Sequence, residues 1–572
     1  MKRKLILTTL LSLSTLSSEI PKEIEDLAKV IVISTNDPSL QEPIEEKVKC
    51  NPSEAVSKIE DKPTVILKGE GAWKVKVQYS VTMPKSKRLE KEFITDHNTN
   101  EVNSKLNTII YGKFDSYEDR REAIKKMCEG TSFQEKLRLG GALGGRLASI
   151  YDYNRAGSSG GAVVKPEEQW QGLRAGKASG VCRDASTTIA HFLSSCGIPS
   201  SQMRIDSYDT LDAGHQVTSI YDNEGNLYTI NWRELYSNKD NGVFATSVHP
   251  DIVNTGLYHQ VYDSETGDVL DVGISQLGDV LKLAAGGKSD KPAYIPDELK
   301  IELAYNNWNI NMFKTQTDIG EEVQGGGIYY RSGDPQESVY MSAGIAYAES
   351  TREETLNRDL TEVLKQNIVF VSFDNHIAPN FTVAKVGDTE FIFKPKIATD
   401  MDVYMADSEL GISKGKSEGK RMSGSLGAGA IIKNDNITAW MNASQTYNYL
   451  DHAKNTEKDG EKDSGIVPIR TLYDAGVRYE GDRFTVEGYG SVISSKIARD
   501  TQLGIRGNDG NSMIDGDVSY IVYNRNNVPD RKFVVAKVGK SWSSIRVEVI
   551  AQKDLTFDDD SIGLNLSGRF GK

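Results

Sequence analysis

Three side chains of this 572-residue chain have the types and the order that thiol chemistry needs. Cys182 follows a Gly180-Val181 turn and opens a run in which Ile189, Phe192 and Leu193 recur at helical spacing, with Gly197 and Pro199 as stops. A sulfur at a helix start lies near backbone N–H groups without intrahelical partners and at the positive end of the dipole, which favours thiolate. His215 enters a strand-like stretch, and Asn231 closes the next one, Leu227–Trp232. In that order His215 takes the proton of Cys182, Asn231 orients the imidazole, and sulfur attacks an amide carbonyl. The oxyanion is met by the Cys182 backbone N–H and one further donor. Water or an amine resolves the thioester, and sequence does not distinguish them, because that choice depends on how the site excludes water.

Gly180-Val181-Cys182-Arg183-Asp184, the closing Gly197-Ile198-Pro199 and the later His215 and Asn231 resemble the transglutaminase-like superfamily, which has a papain-like fold. The resemblance covers residues 106–285, about a third of the chain. It implies an α+β domain acting on amide bonds of a peptide, a protein or cell-wall peptide, as peptidase, deamidase or amide transferase, with no cofactor and no metal. The family usually carries Asp in the third position; Asn231 fills that role as in papain-like enzymes, with less stabilisation of an imidazolium. That departure keeps a second reading open, a catalytically inactive domain that binds peptides or cell-wall strands on an outer-membrane pore or scaffold.

The remainder of the chain must position this site. Net charge is −13, from 68 basic and 81 acidic side chains, which argues against a nucleic-acid partner. Residues 1–18 read as a secretory signal peptide, with Lys2, Arg3 and Lys4 before the apolar Leu5–Leu16. Export makes the four cysteines informative. Cys182 and Cys196 stand at opposite ends of one helix, about 21 Å apart at 1.5 Å per residue, too far to bridge. If a disulfide forms, the expected pair is Cys50–Cys128, with Cys182 free and Cys196 a small apolar residue. Residues 19–105 read as a small N-terminal α+β or β module, in which Trp73–Val81 is a strand and His97 a solvated loop residue. Gly140, Gly141, Gly144 and Gly145 lack the Lys-Ser or Lys-Thr of a phosphate loop and fit close helix packing. Residues 286–335 read as a connector broken by Gly325-Gly326-Gly327.

From residue 336 to 572 the pattern is period two. Tyr473, Ala475, Val477 and Tyr479 share one face, opposite Asp474, Gly476 and Arg478, and the 545–552 and 562–570 stretches behave alike. Apolar outside and polar inside is what a transmembrane barrel needs, so the fold class expected is a papain-like α+β domain followed by an antiparallel barrel of 12–14 strands. A soluble β-sandwich also alternates and is the competing fold. Loops are expected at 412–420 and 451–469, an aromatic girdle at Tyr447 and Tyr449, and Lys537 sits awkwardly in its strand. The location that follows is the bacterial outer membrane with the enzyme domain in the periplasm, or else a soluble secreted or periplasmic protein.

Overall fold

A computed structural model describes residues 73–83, 90–151, 165–177, 180–209, 211, 214–224, 226–239, 256–288, 297–317, 320–333, 338–357, 360–451, 467–496, 498–509, 513–525, 528–542, 545–555 and 560–570. The stretch expected to be a signal peptide, the first part of the expected N-terminal module and Cys50 lie outside the described residues.

The first described strand, β1 (Trp73–Met83), does not belong to a small N-terminal sheet. After it come β2 (Glu90–Phe93) and helices α1 (Asn100–Tyr111), α2 (Tyr117–Cys128), α3 (Phe133–Ile150), α4 (Pro166–Ala175) and α5 (Cys182–Ser195). Then follow β3 (Met203–Asp209), β4 (Gly214–Tyr221), β5 (Leu227–Asn231), β6 (Glu234–Lys239), β7 (Tyr258–Asp263), β8 (Val269–Ile274) and α6 (Gln276–Ala284). The supposed connector is three strands: β9 (Asp297–Tyr305), β10 (Trp308–Gln316) and β11 (Glu322–Ser332). Next are β12 (Val339–Asn357), β13 (Leu360–Ile377), β14 (Phe381–Val386), β15 (Thr389–Leu410), β16 (Ser413–Asn434), β17 (Ile437–Asp451) and β18 (Val467–Glu480). The chain ends with β19 (Phe484–Ser494), β20 (Ala498–Asp509), β21 (Ile514–Arg525), β22 (Val528–Trp542), β23 (Ile545–Asp554) and β24 (Asp560–Phe570).

β1 pairs with β24 on one side and β9 on the other, and this closes an antiparallel barrel. Its wall has 16 strands, β1, β9–β13 and β15–β24, while β14 is a short arm paired with β15 alone. The expected 12–14 strands fell short because β1 and β9–β11 lie before residue 336 and pair with partners remote in sequence. An even number of antiparallel strands, apolar outside and polar inside, is the organisation of a membrane-spanning barrel. Ile397 is 59% exposed and Ile505 65% exposed on the outer face, while Asp402 and Arg421 are buried on the inner one. Tyr473, Val477 and Tyr479 lie outside as the alternation requires. Lys537 shares the lumenal face of β22 with buried Phe533 and Val535, opposite Asp517, which removes its awkwardness. Residues 413–420 are not a loop; they continue β16, paired residue by residue with β15 up to Leu410.

The domain between β1 and β9 has seven antiparallel strands in the order β2-β6-β5-β4-β3-β7-β8. Helices α1–α5 cover it through one core that includes Leu106, Ile124, Leu143, Trp170, Ile189 and Phe192 against Ile220, Ile230 and Leu235. The disulfide within it joins Cys128 to Cys196, not to Cys50, with Cα atoms 5.1 Å apart. The α2 terminus reaches the α5 terminus, a contact that helix geometry alone does not reveal. Closing a loop of 68 residues contributes about 4 kcal/mol in the chain-entropy picture.

The last helix of this domain, α6, enters the barrel. Leu277, Leu281 and Ala284 pack on an apolar strip of the lumenal wall formed by Phe313, Val323, Ala346, Ala348, Ile368 and Phe370. A Cβ on Gly327 would stand 2.3 Å from the Ala284 carbonyl oxygen, and one on Gly344 2.6 Å from that of Ala285. Gly327, the last of the glycine triplet, is therefore a place where the plug backbone meets the wall, and the triplet lies within β11 rather than breaking the chain. Lys282, 1% exposed, donates to Asp400 at 2.5 Å and stands 3.4 Å from Asp402. Arg421 donates to the same two carboxylates at 2.8 and 2.9 Å. Two cations against two carboxylates neutralise a group of charges that could not be buried singly.

Lys282→Ala leaves two buried carboxylates sharing one guanidinium, so the urea midpoint of the vesicle-reconstituted protein is expected to fall by the equivalent of about 3 kcal/mol or more, whereas Lys414→Ala, at the exposed tip of β16, leaves it unchanged.

Candidate active site

The α5 helix holds the thiol. Asp184 accepts a hydrogen bond from the Val181 backbone N–H at 2.8 Å, which fixes the entry to the first turn. The first intrahelical bond of the turn runs from Ala185 N–H to the Val181 carbonyl, so the N–H groups of Cys182, Arg183 and Asp184 have no helical partner. Ile189, Phe192 and Leu193 are buried as their spacing predicts, and Gly197 stops the helix at φ +80°. Two hydrogen bonds bolt the helix to β4: Ser186 Oγ donates to the Gln216 carbonyl at 3.0 Å, and Thr218 Oγ1 donates to the Ser186 carbonyl at 3.0 Å. This seats Cys182 beside the His215-Gln216 segment, whose Gln216 N–H bonds the sulfur.

His215 and Asn231 come together. His215 Nε2–H donates to Asn231 Oδ1 at 2.7 Å, which leaves Nδ1 as the unprotonated nitrogen of a neutral ring. Burial pulls the imidazole below its ordinary value, and the Asn231 hydrogen bond opposes this. Tyr208 meets the imidazole edge-on with ring centroids 5.5 Å apart, and Trp232 lies 6.5 Å away on another side.

Cys182 is free, as expected, and half-buried. Its thiol is not activated in the way its helix position suggests. Burial pushes it up to about 11, against the opposing hydrogen bonds from the Gln216 and Arg183 N–H groups. Desolvation of a thiolate outweighs two N–H donors and the end of a helix dipole. Thiol and imidazole are therefore each neutral at rest.

Trp232, Gly144 and Tyr151 complete the surroundings and were not read as functional from sequence. Trp232 has φ +53°, a conformation that bulky side chains seldom adopt. Its carbonyl oxygen would lie 2.3 Å from a Cβ on Gly144, so that glycine leaves room for the turn after Asn231. Gly140 and Gly141 similarly admit Ile230, Leu193, Leu235 and His97. His97 is not a solvated loop residue: its ring nitrogens lie 2.7 Å from the Ile94 carbonyl and 2.9 Å from that of Arg233. Tyr151 packs edge-on against Trp232 at 5.5 Å. A positive φ cannot be seen in sequence, although the crowded glycines of α3 signal a close approach. Trp170 is a core residue against Phe192, and Gln171 is exposed. Among the described residues no group of His, Cys, Asp and Glu is placed to hold a metal ion.

No protein-family model matches this chain, and no curated protein matches it. Among solved structures it is similar to CdiB from Acinetobacter baumannii, with a TM-score of 0.32 and 10% identity over 48% of this chain and 56% of that one. CdiB from Escherichia coli gives a TM-score of 0.33 and 10% identity over 48% and 59%. The ferric citrate transporter FecA in its unliganded form gives 0.25 and 9% over 64% and 78%. The match thus spans little more than half the length of either CdiB protein. The barrel rests on its own strand pairing.

Two outcomes follow. Alkylation of Cys182 by iodoacetamide in the free protein, read by peptide mass, is expected to be slow at pH 7 and to rise about tenfold per pH unit in the alkaline range, because the thiolate fraction grows that way below a value of about 11. Gly144→Ala is expected to displace the Trp232 carbonyl and lower domain stability by about 1–3 kcal/mol, with a matching change in the Trp fluorescence of the folded state.

Proposed function

We propose that this chain is an outer-membrane barrel that carries a transglutaminase-like cysteine enzyme domain, of papain-like fold, on its outer face. The observation that carries the enzymatic reading is the 2.7 Å hydrogen bond from His215 to Asn231 beside a free cysteine at a helix start. In the reaction His215 Nδ1 takes the Cys182 proton as sulfur attacks the amide carbonyl, so the ion pair forms with the new C–S bond rather than before it. N–H groups of the first turn of α5 meet the developing oxyanion. The imidazolium returns its proton to the leaving amine or ammonia, and water or an amine then cleaves the thioester.

Placement on the outer face rests on the strand ends. One end of the barrel carries Trp73, Phe570, the short turns at 306–307, 435–436 and 481–483, and the β14 arm. The other carries a turn as short, at 411–412, and also the 84–296 insertion that holds the whole domain, by far the longest stretch of chain between two wall strands. Outer-membrane barrels keep short turns on the periplasmic side and long connections outside. On that rule the domain faces the exterior, opposite to the periplasmic placement expected from sequence, and its substrates are amides of proteins or peptides met there.

The binding-only reading has one observation in its favour, the thiol held as high as about 11. The two separate in one experiment. Incubation with a panel of glutamine-containing and unstructured peptides is expected to leave an acyl adduct on Cys182 by intact mass, and Cys182→Ala is expected to abolish both adduct and product. Peptide binding that survives Cys182→Ala, with no adduct or product in the parent protein, overturns the enzymatic reading.

A further inference from the structure

Sixteen strands enclose more space than one helix fills. The plug helix α6 lies against the β10–β13 wall, and among the described residues the β15–β20 side of the lumen lines two cavities of ≈ 480 and ≈ 380 Å³. Lys396, Ser444 and Leu472 line both, so the two spaces adjoin. The first reaches Thr438 and Trp440 near the 435–436 turn, and the second reaches Asn448 and Arg470 towards the opposite end. Together they follow β17 along much of its length.

The lining is unequal in charge. Lys288, Lys394, Lys396, Arg470, Arg478 and Arg506 share the lining with four carboxylates. Arg470 and Arg478 are paired outside that lining with Asp271 and Glu480, and three of the four lining carboxylates are ion-paired. Asp400 holds Lys282 and Arg421, Asp374 stands 3.4 Å from Lys288, Glu487 2.5 Å from Arg506, and Asp474 accepts from Asn442 at 2.7 Å. Lys394 and Lys396 make no ion pair among the described residues. Two unpaired ammonium groups against one carboxylate, Asp474, whose amide partner leaves its charge in place, give the lining a net positive field that concentrates anions.

We propose that this passage is an anion-selective chamber, which admits small anionic solutes alongside the plug with Lys394 and Lys396 as its selecting groups. This function is separate from acyl transfer and stands whether or not Cys182 turns over.

The test uses the full-length protein in detergent with Ser444→Cys, at the junction of the two cavities. Sulfonatoethyl and trimethylammonioethyl methanethiosulfonate, one anionic and one cationic, are compared by peptide mass, so that Cys182 is scored separately. Rates are normalised to those with a free small thiol. The anionic reagent is expected to react about tenfold faster or more. Adding Lys394→Gln with Lys396→Gln is expected to bring the ratio near one, and Lys394→Glu with Lys396→Glu to reverse it, in protein that retains heat-modifiable migration on gels. Equal normalised rates in the parent, a faster cation, or no labelling by either reagent overturns the proposal. So does a ratio that both sets of substitutions leave unchanged.

Discussion

The architecture depends on β1 pairing with two strands at once. Residues 74–80 are hydrogen-bonded to β9 on one side and to β24 on the other, and without them the sheet would carry two open edges. Unpaired backbone groups cannot be tolerated in a bilayer, so this closure is obligatory. It also decides where the domain goes. Because the domain lies between β1 and β9, both of its connections reach the barrel at the same end, opposite Trp73 and Phe570. The return path then runs through the lumen, and α6 lies along it, held by apolar contacts with the wall and by the Lys282–Asp400–Asp402–Arg421 group. Further contacts secure the domain at the rim: Leu211 meets Leu364 and Leu410, Tyr221 and Leu227 meet Ile521 and Phe533, and Arg470 donates to Asp271.

The thiol site follows from a second constraint, the tightness of the packing around the turn after β5. Trp232 takes a positive φ because Gly144 leaves space for its carbonyl and because Tyr151 and His215 flank its ring. The same packing that orders His215 and Asn231 leaves Cys182 half-buried, with desolvation raising its thiol. That combination makes a site that is well positioned and electrostatically neutral at rest.

Much of this was legible in the sequence where the signal is local. The α5 helix with its stripe and stop, the placement of His215 and Asn231 on successive strands, and the alternating faces of β18, β23 and β24 all depend on neighbours a few residues apart. What was not legible is non-local. β1 alternates like any strand, and nothing in Trp73–Met83 announces a partner at the far end of the chain. Cys128 and Cys196 meet through the packing of α2 on α5, which spacing does not encode. The plug left a trace that alternation rules pass over: Ile368, Val369, Phe370 and Val371 are apolar on both faces of β13, because lipid lies on one side and α6 on the other. Burial of the thiol is likewise a tertiary effect, and it reversed the inference drawn from the helix start.

The central claim is that the cysteine domain stands on the exterior of the outer membrane, carried there by the β1–β9 insertion. An epitope inserted at the exposed Glu265-Thr266-Gly267 turn of the domain tests it most directly. Antibody staining of intact, non-permeabilised cells is predicted to match that of permeabilised cells. Staining that appears only after the outer membrane is permeabilised would place the domain in the periplasm and contradict the account.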